Sequence, residues 1–201
     1  MKYIDIDMRR TQFKELIEKW DRLLIDFENV MTTEDLPYIY KERTSVGLLA
    51  AAATKKGYIV LEEYGTEKQH KGQTRAGRAD LWLYKKDKSI DISLEAKYKE
   101  ISWNSKKVIE VVKPILKKAV SDVNEVRPSE GAKYSLGVVF VRPYNANPDS
   151  YNPDDFWDQF GDKSSLGADF CAMHLCKYEI WSEQKYNKGY PGICIAGKFS
   201  D

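Results

Sequence analysis

The sequence predicts an α/β domain with a mixed central sheet flanked by helices, and three observations carry that expectation. Residues 77 to 97, GRADLWLYKKDKSIDISLEAK, alternate apolar and polar on either side of a short polar break. That period of two puts one strand face in a core and the other outside. Residues 11 to 31 and 105 to 126 space their apolar side chains at three- and four-residue steps, as amphipathic helices do. Residues 135 to 141, SLGVVFV, are continuously apolar, the mark of a strand covered on both faces. At 201 residues, 42% of them hydrophobic, the chain can bury one good-sized core, so 1–201 reads as a single domain.

Taken in order, segment 1–34 holds a packing helix with Phe13, Leu16, Ile17, Trp20, Leu23, Leu24, Phe27 and Met31 on one stripe; the alternative for that stripe is a homodimer surface. Asp35 and Pro37 start a second helix, about Tyr38 to Lys56, which Lys55-Lys56-Gly57 closes with cations and a C-cap glycine. Val46, Leu49, Ala50 and Ala53 form its apolar face, and Glu42 lies on that face one turn earlier, where an acid is costly unless something binds it. A strand over Tyr58 to Tyr64 follows, with Glu62 or Glu63 in reach of the next elements. Gly65 to Ala76 reads as a polar loop with the composition of a substrate contact. Within the helix at Ser105 to Val126, Pro114 is placed to kink or divide it.

Segment 142–201 is less informative. Arg142-Pro143-Tyr144-Asn145 ends the apolar strand, an acidic stretch holds a helical piece near Asp155 to Phe160, and strands are expected at Phe170 to Tyr178 and Gly192 to Phe199. Cys171, His174 and Cys176 suggest zinc by type. On one strand, however, Cys171 faces away from the other two, so a core strand is the better account.

The 77–97 hairpin concentrates the chemistry. With its loop centred between Lys86 and Asp87, Asp80 falls opposite Ser93. Asp80, Ser93, Glu95 and Lys97 then share one face. Two neighbouring carboxylates repel unless a cation sits between them. Hard oxygen donors suit Mg²⁺ or Mn²⁺, which keep positions for water and phosphate. A lysine two residues on can orient water or steady charge growing on a phosphate.

Asp80, fourteen intervening residues, and Glu95-Ala96-Lys97 at the end of an apolar strand resemble the PD-(D/E)XK, or restriction-endonuclease-like, nuclease superfamily. The resemblance covers about residues 38–141 and implies an αβββαβ core with an added N-terminal helix. It also implies metal binding by Asp80 and Glu95, a catalytic Lys97, and an acid on the preceding helix, here Glu42. The proline that commonly precedes the Asp is Ala79. Asp169 precedes Glu183-Gln184-Lys185 at a similar spacing, but no hairpin leads into that set, so it reads as a decoy.

Net charge is only +1. Its distribution is uneven: Lys68 to Lys88 holds seven Lys/Arg against two Asp, a net of +5, while Ala96 to Arg127 holds eight against four acids, a net of +4. Positive segments flanking the acids suit a phosphate backbone, with Arg78 and Lys99 bordering the site. Three cysteines point to a reducing compartment, and no apolar run approaches the roughly twenty residues that cross a bilayer. The expectation is a cytoplasmic, Mg²⁺- or Mn²⁺-dependent nuclease acting on DNA, without membrane association. The alternative is a noncatalytic nucleic-acid-binding or assembly subunit of the same fold.

Overall fold

The N-terminal stripe folds as α1 (Thr11–Val30), with Leu16, Ile17, Trp20 and Leu24 fully buried within the chain. The structure is a computed structural model that describes residues 3–6, 11–31, 35–70, 72–87, 90–126, 132–147, 152–177 and 189–200. Ahead of α1 lies a short strand that its pattern does not announce, β1 (Tyr3–Ile6). Pro37–Ile39 make one 3₁₀ turn, and α2 (Glu42–Lys55) follows, stopping before Gly57 at φ 81°. Next come β2 (Ile59–His70), β3 (Gln73–Tyr84), β4 (Asp91–Ser102), α3 (Val108–Glu125) and β5 (Tyr134–Tyr144). From α2 to β5 the order is helix, three strands, helix, strand. The remainder is α4 (Pro153–Phe160), α5 (Lys163–Leu166), β6 (Phe170–Leu175) and β7 (Gly192–Ser200).

The seven strands form one mixed sheet in the order β1-β6-β7-β5-β4-β3-β2. β4 and β5 are the parallel pair, joined by the crossover helix α3, and the other neighbours are antiparallel. Glu95 is in register with Gly137, and a Cβ on Gly137 would come within 2.5 Å of the Val120 nitrogen. α3 therefore lies directly on the face that carries Glu95. The opposite face holds Leu81, Leu94, Ala96, Leu136 and Val138, all fully buried. Glu62, paired with Leu81, lies there against Gly47 of α2.

Two expectations change. The polar stretch 65–76 is not a loop but the outer half of the β2–β3 hairpin, paired from Gly65–Arg78 to His70–Gln73, with Gly72 at φ 79° in the turn. Most of it is exposed on both faces, so cross-strand hydrogen bonds hold it without an apolar alternation to betray it. Nor does the last central strand end at Val141. Buried Arg142 continues it, donating to the Glu100 carboxylate and to the backbone carbonyls of Tyr38 and Ile39. α3 runs unbroken through Pro114. Cys171, Cys176 and Cys194 are free and buried. His174 is buried between Asp21 and Glu28 of α1, at 2.8 and 2.7 Å. No helix among the described residues is long and apolar enough to cross a membrane.

Candidate functional site

β3 and β4 stay together for only four residue pairs, from Tyr84–Asp91 to Leu81–Leu94, while β4 remains paired with β5 as far as Ser102. Past Leu94 the β3-facing edge of β4 has no strand beside it, and its backbone amides need other acceptors. The Ala96 N–H donates to Oδ2 of Asp80 at 2.7 Å. The Tyr98 amide, next on that edge, supports the carboxylate of Glu42 from the first turn of α2. Side chains thus finish the edge that the departing strand leaves open.

The register differs from expectation by two residues. Trp82, not Asp80, pairs with Ser93, because the loop is centred one residue later and closed by Lys85 N–H to the Ile90 carbonyl at 2.8 Å. A shift of two preserves faces. It brings Asp80 into line with Glu95 instead of Ser93.

Glu42, Asp80, Glu95 and Lys97 therefore converge from α2, β3 and β4, and their charges act on one another. Burial raises the pKa of Glu95 above its ordinary value; the hydrogen bond from Lys68 opposes this, and the Asp80 charge reinforces it. Half-buried Glu42 is raised likewise, first by burial and then by Asp80, against the pull of Lys97 and the Tyr98 amide. Lys97 donates to the Ala96 carbonyl at 3.0 Å and stands 4.0 Å from Oε2 of Glu95.

Two participants carry no sequence signal that pointed to them. Lys68, in the outer arm of β2, places its ammonium 2.6 Å from Oε1 of Glu95. Asp122 of α3 takes Lys97 at 3.1 Å and Lys118 at 2.6 Å. Burial works against the Asp122 charge, but those two lysines outweigh it and hold its pKa below the usual value. The i, i+4 pairing of Lys118 with Asp122 is visible in the sequence, but nothing there ties it to Lys97.

Other candidates lie at the margin. Arg78 is exposed and bound to Glu63 at 2.9 Å, and Lys99 is exposed. Glu63 is in line with Asp80, yet its φ of 46° breaks the strand geometry, and its carboxylate engages Arg78 and Arg43. Beyond it, the Tyr64 hydroxyl meets Ser93 Oγ at 2.8 Å. Lys106, Lys107 and Lys113 line a groove with Gln159 and Ser165. Lys113 and Asp122, nine residues apart, lie half a turn round α3, so this groove is on the flank away from Lys97. Asp169 of the decoy accepts from the Phe199 amide at 2.8 Å; Glu183, Gln184 and Lys185 lie outside the described residues.

No protein-family model, curated protein or solved structure matches the chain.

Proposed function

We propose that the chain is a Mg²⁺- or Mn²⁺-dependent nuclease that hydrolyses phosphodiester bonds, with DNA as substrate, and that its fold is restriction-endonuclease-like. The observation that carries this reading is the meeting of Glu42, Asp80, Glu95 and Lys97 where β3 parts from β4. The order helix, three strands, helix, strand over 42–144 supports it.

The donor set suits a hard dication. Asp80 and Glu95 would hold it; burial is the main cause of the raised Glu95 pKa, the Asp80 charge adds to it, and the Lys68 ammonium already takes one carboxylate oxygen. Among the described residues no group of three or more His, Cys, Asp or Glu is close enough to hold a metal. The proposed ion would take two carboxylates and complete its shell with water and phosphate. Such an ion would polarise the phosphate and acidify a bound water. Lys97, steadied by Asp122 and the Ala96 carbonyl, is positioned to orient the attacking water or a phosphate oxygen. Glu42, with its raised pKa, is suited to accept a proton. Arg78 and Lys99 would hold flanking phosphates.

One observation favours the alternative of a noncatalytic nucleic-acid-binding or assembly subunit. Glu95 pairs with Lys68, and Lys97 with Asp122, so the charges neutralise each other without a dication. Incubation with plasmid, linear duplex and single strands, with and without Mg²⁺ or Mn²⁺, separates the two. The parent should cleave with metal. Lys97→Ala should keep metal binding and lose about 10²-fold or more in rate. Glu95→Ala should lose both. No cleavage of any substrate by the parent would sink the nuclease reading and favour the noncatalytic one.

A further inference from the structure

The sheet face that carries Glu95 continues into four apolar side chains. Register sets Tyr84 beside Ile59 and Trp82 beside Leu61, with Trp82 also beside Ser93, two residues before Glu95. Leu61 is 51% exposed and Ile59 43%. Trp82 and Tyr84, half-buried, stack with ring centroids 5.4 Å apart and planes 17° from parallel. The Trp82 indole N–H donates to Oδ1 of Asp91 at 2.9 Å, which fixes the ring. The result is a held, half-buried aromatic stack, a platform that lies one strand repeat, about 7 Å, along the sheet from the level of Glu95.

Cations stand at both ends of it. Lys68 and Lys97, paired with Glu95 and Asp122, are at the Glu95 end; exposed Lys86 follows Tyr84 at the other, while the Lys85 ammonium lies over Tyr58 on the opposite face. Apolar rings between cations match a strand whose bases are unstacked: bases lie on the rings and phosphates meet the ammonium groups. A duplex keeps its base faces stacked inside and offers the platform nothing to cover.

We propose that the site takes an unpaired nucleic-acid strand and that one base next to the scissile phosphate stacks on the Trp82–Tyr84 platform. The occupant rests on the nuclease reading. The test is binding, measured in chelator so that no cleavage occurs, of a short single-stranded DNA oligonucleotide and of its duplex to the full chain. The variants are Trp82→Leu and, at an exposed position that the fold tolerates, Leu61→Glu, each checked for a native melt. The parent should prefer the single strand, and each variant should weaken that binding by about five- to a hundredfold while leaving duplex binding unchanged. Equal affinity of the parent for duplex, or retention of single-strand affinity by either folded variant, would overturn the proposal. So would a dimer that Leu61→Glu dissociates, since the platform would then belong to a second copy. Metal-dependent cleavage without strand preference would remove only this proposal. Single-strand binding through Trp82 with no cleavage would remove only the nuclease reading.

Discussion

Lys68→Met tests whether the outer arm of the β2–β3 hairpin supplies the counter-charge of the site. Lys68 and Glu95 are 17% and 5% exposed at the side chain and 2.6 Å apart. Removing one partner of a buried pair costs about 3–5 kcal/mol, mostly as an uncompensated charge. Lys97 remains 4.0 Å from the other oxygen, so a loss at or just below the bottom of that range, about 2–3 kcal/mol, applies here. For a chain of this length that lowers Tm by about 4–12 °C. The loss depends on pH with a definite sign. The folded pKa of Glu95 is already raised, and without Lys68 it rises further. The folded state then binds the Glu95 proton more tightly than the unfolded chain does. The deficit is full above that folded pKa and shrinks as pH falls through it. Added Mg²⁺ should recover stability in the variant, by about 2.7 kcal/mol at a concentration one hundred times Kd, and more than in the parent, where Lys68 competes. The assay is thermal melting against pH, with and without Mg²⁺, for the parent, Lys68→Met, and Lys68→Met combined with Glu95→Gln. A Tm loss equal at every pH, or a Mg²⁺ shift no larger than that of the parent, would refute the counter-charge argument.

Three further outcomes follow from the geometry. Burial works to lower the His174 pKa, but its bonds to Asp21 and Glu28 outweigh that and raise it. The resulting stability is fully present below the ordinary value of 6.5 and fades as pH rises through the higher folded value. Melting curves should show that loss, and His174→Gln should flatten it. Gly137→Ala would drive a methyl against the Val120 nitrogen, costing about 1–3 kcal/mol and drawing Asp122 away from Lys97. An unchanged Tm would show that α3 is not seated on β5 as described. Reversing Lys106 and Lys107 to Glu should leave cleavage and its salt dependence unchanged, since their groove lies across α3 from Lys97. A slope flattened by about 0.9 per lost phosphate contact would place substrate there.

How much of this was legible follows from how each signal is encoded. α1 and α3 bury one stripe each, so their period survives in the sequence. The shared face of Asp80, Glu95 and Lys97 is legible in the sequence because face parity is robust to a register error of two, whereas the pairing itself depends on the Lys85–Ile90 closure, which the sequence does not mark. The outer arm of β2 and β3 was misread because a hairpin exposed on both faces has no apolar period. Lys68 was missed with it, lying 27 positions from its Glu95 partner. β1 is four residues long and is defined by pairing with β6, far along the chain. Asp122 looks like any helix-surface acid until α3 is laid beside β4.

The bond from the Ala96 amide to Asp80 makes that acid a piece of the backbone's own bookkeeping as well as a charge. An alanine at 80 would orphan an amide at a strand edge, whereas an asparagine keeps the acceptor and discards only the charge. Selection for folding alone would hold an acceptor at this position in a chain that cleaves nothing. The presence of an acceptor here is therefore poor testimony about catalysis. Lys97 differs in kind: its loss would leave Asp122 still paired with Lys118 and no strand edge undone, and would remove only a charge from beside Glu95 and Glu42.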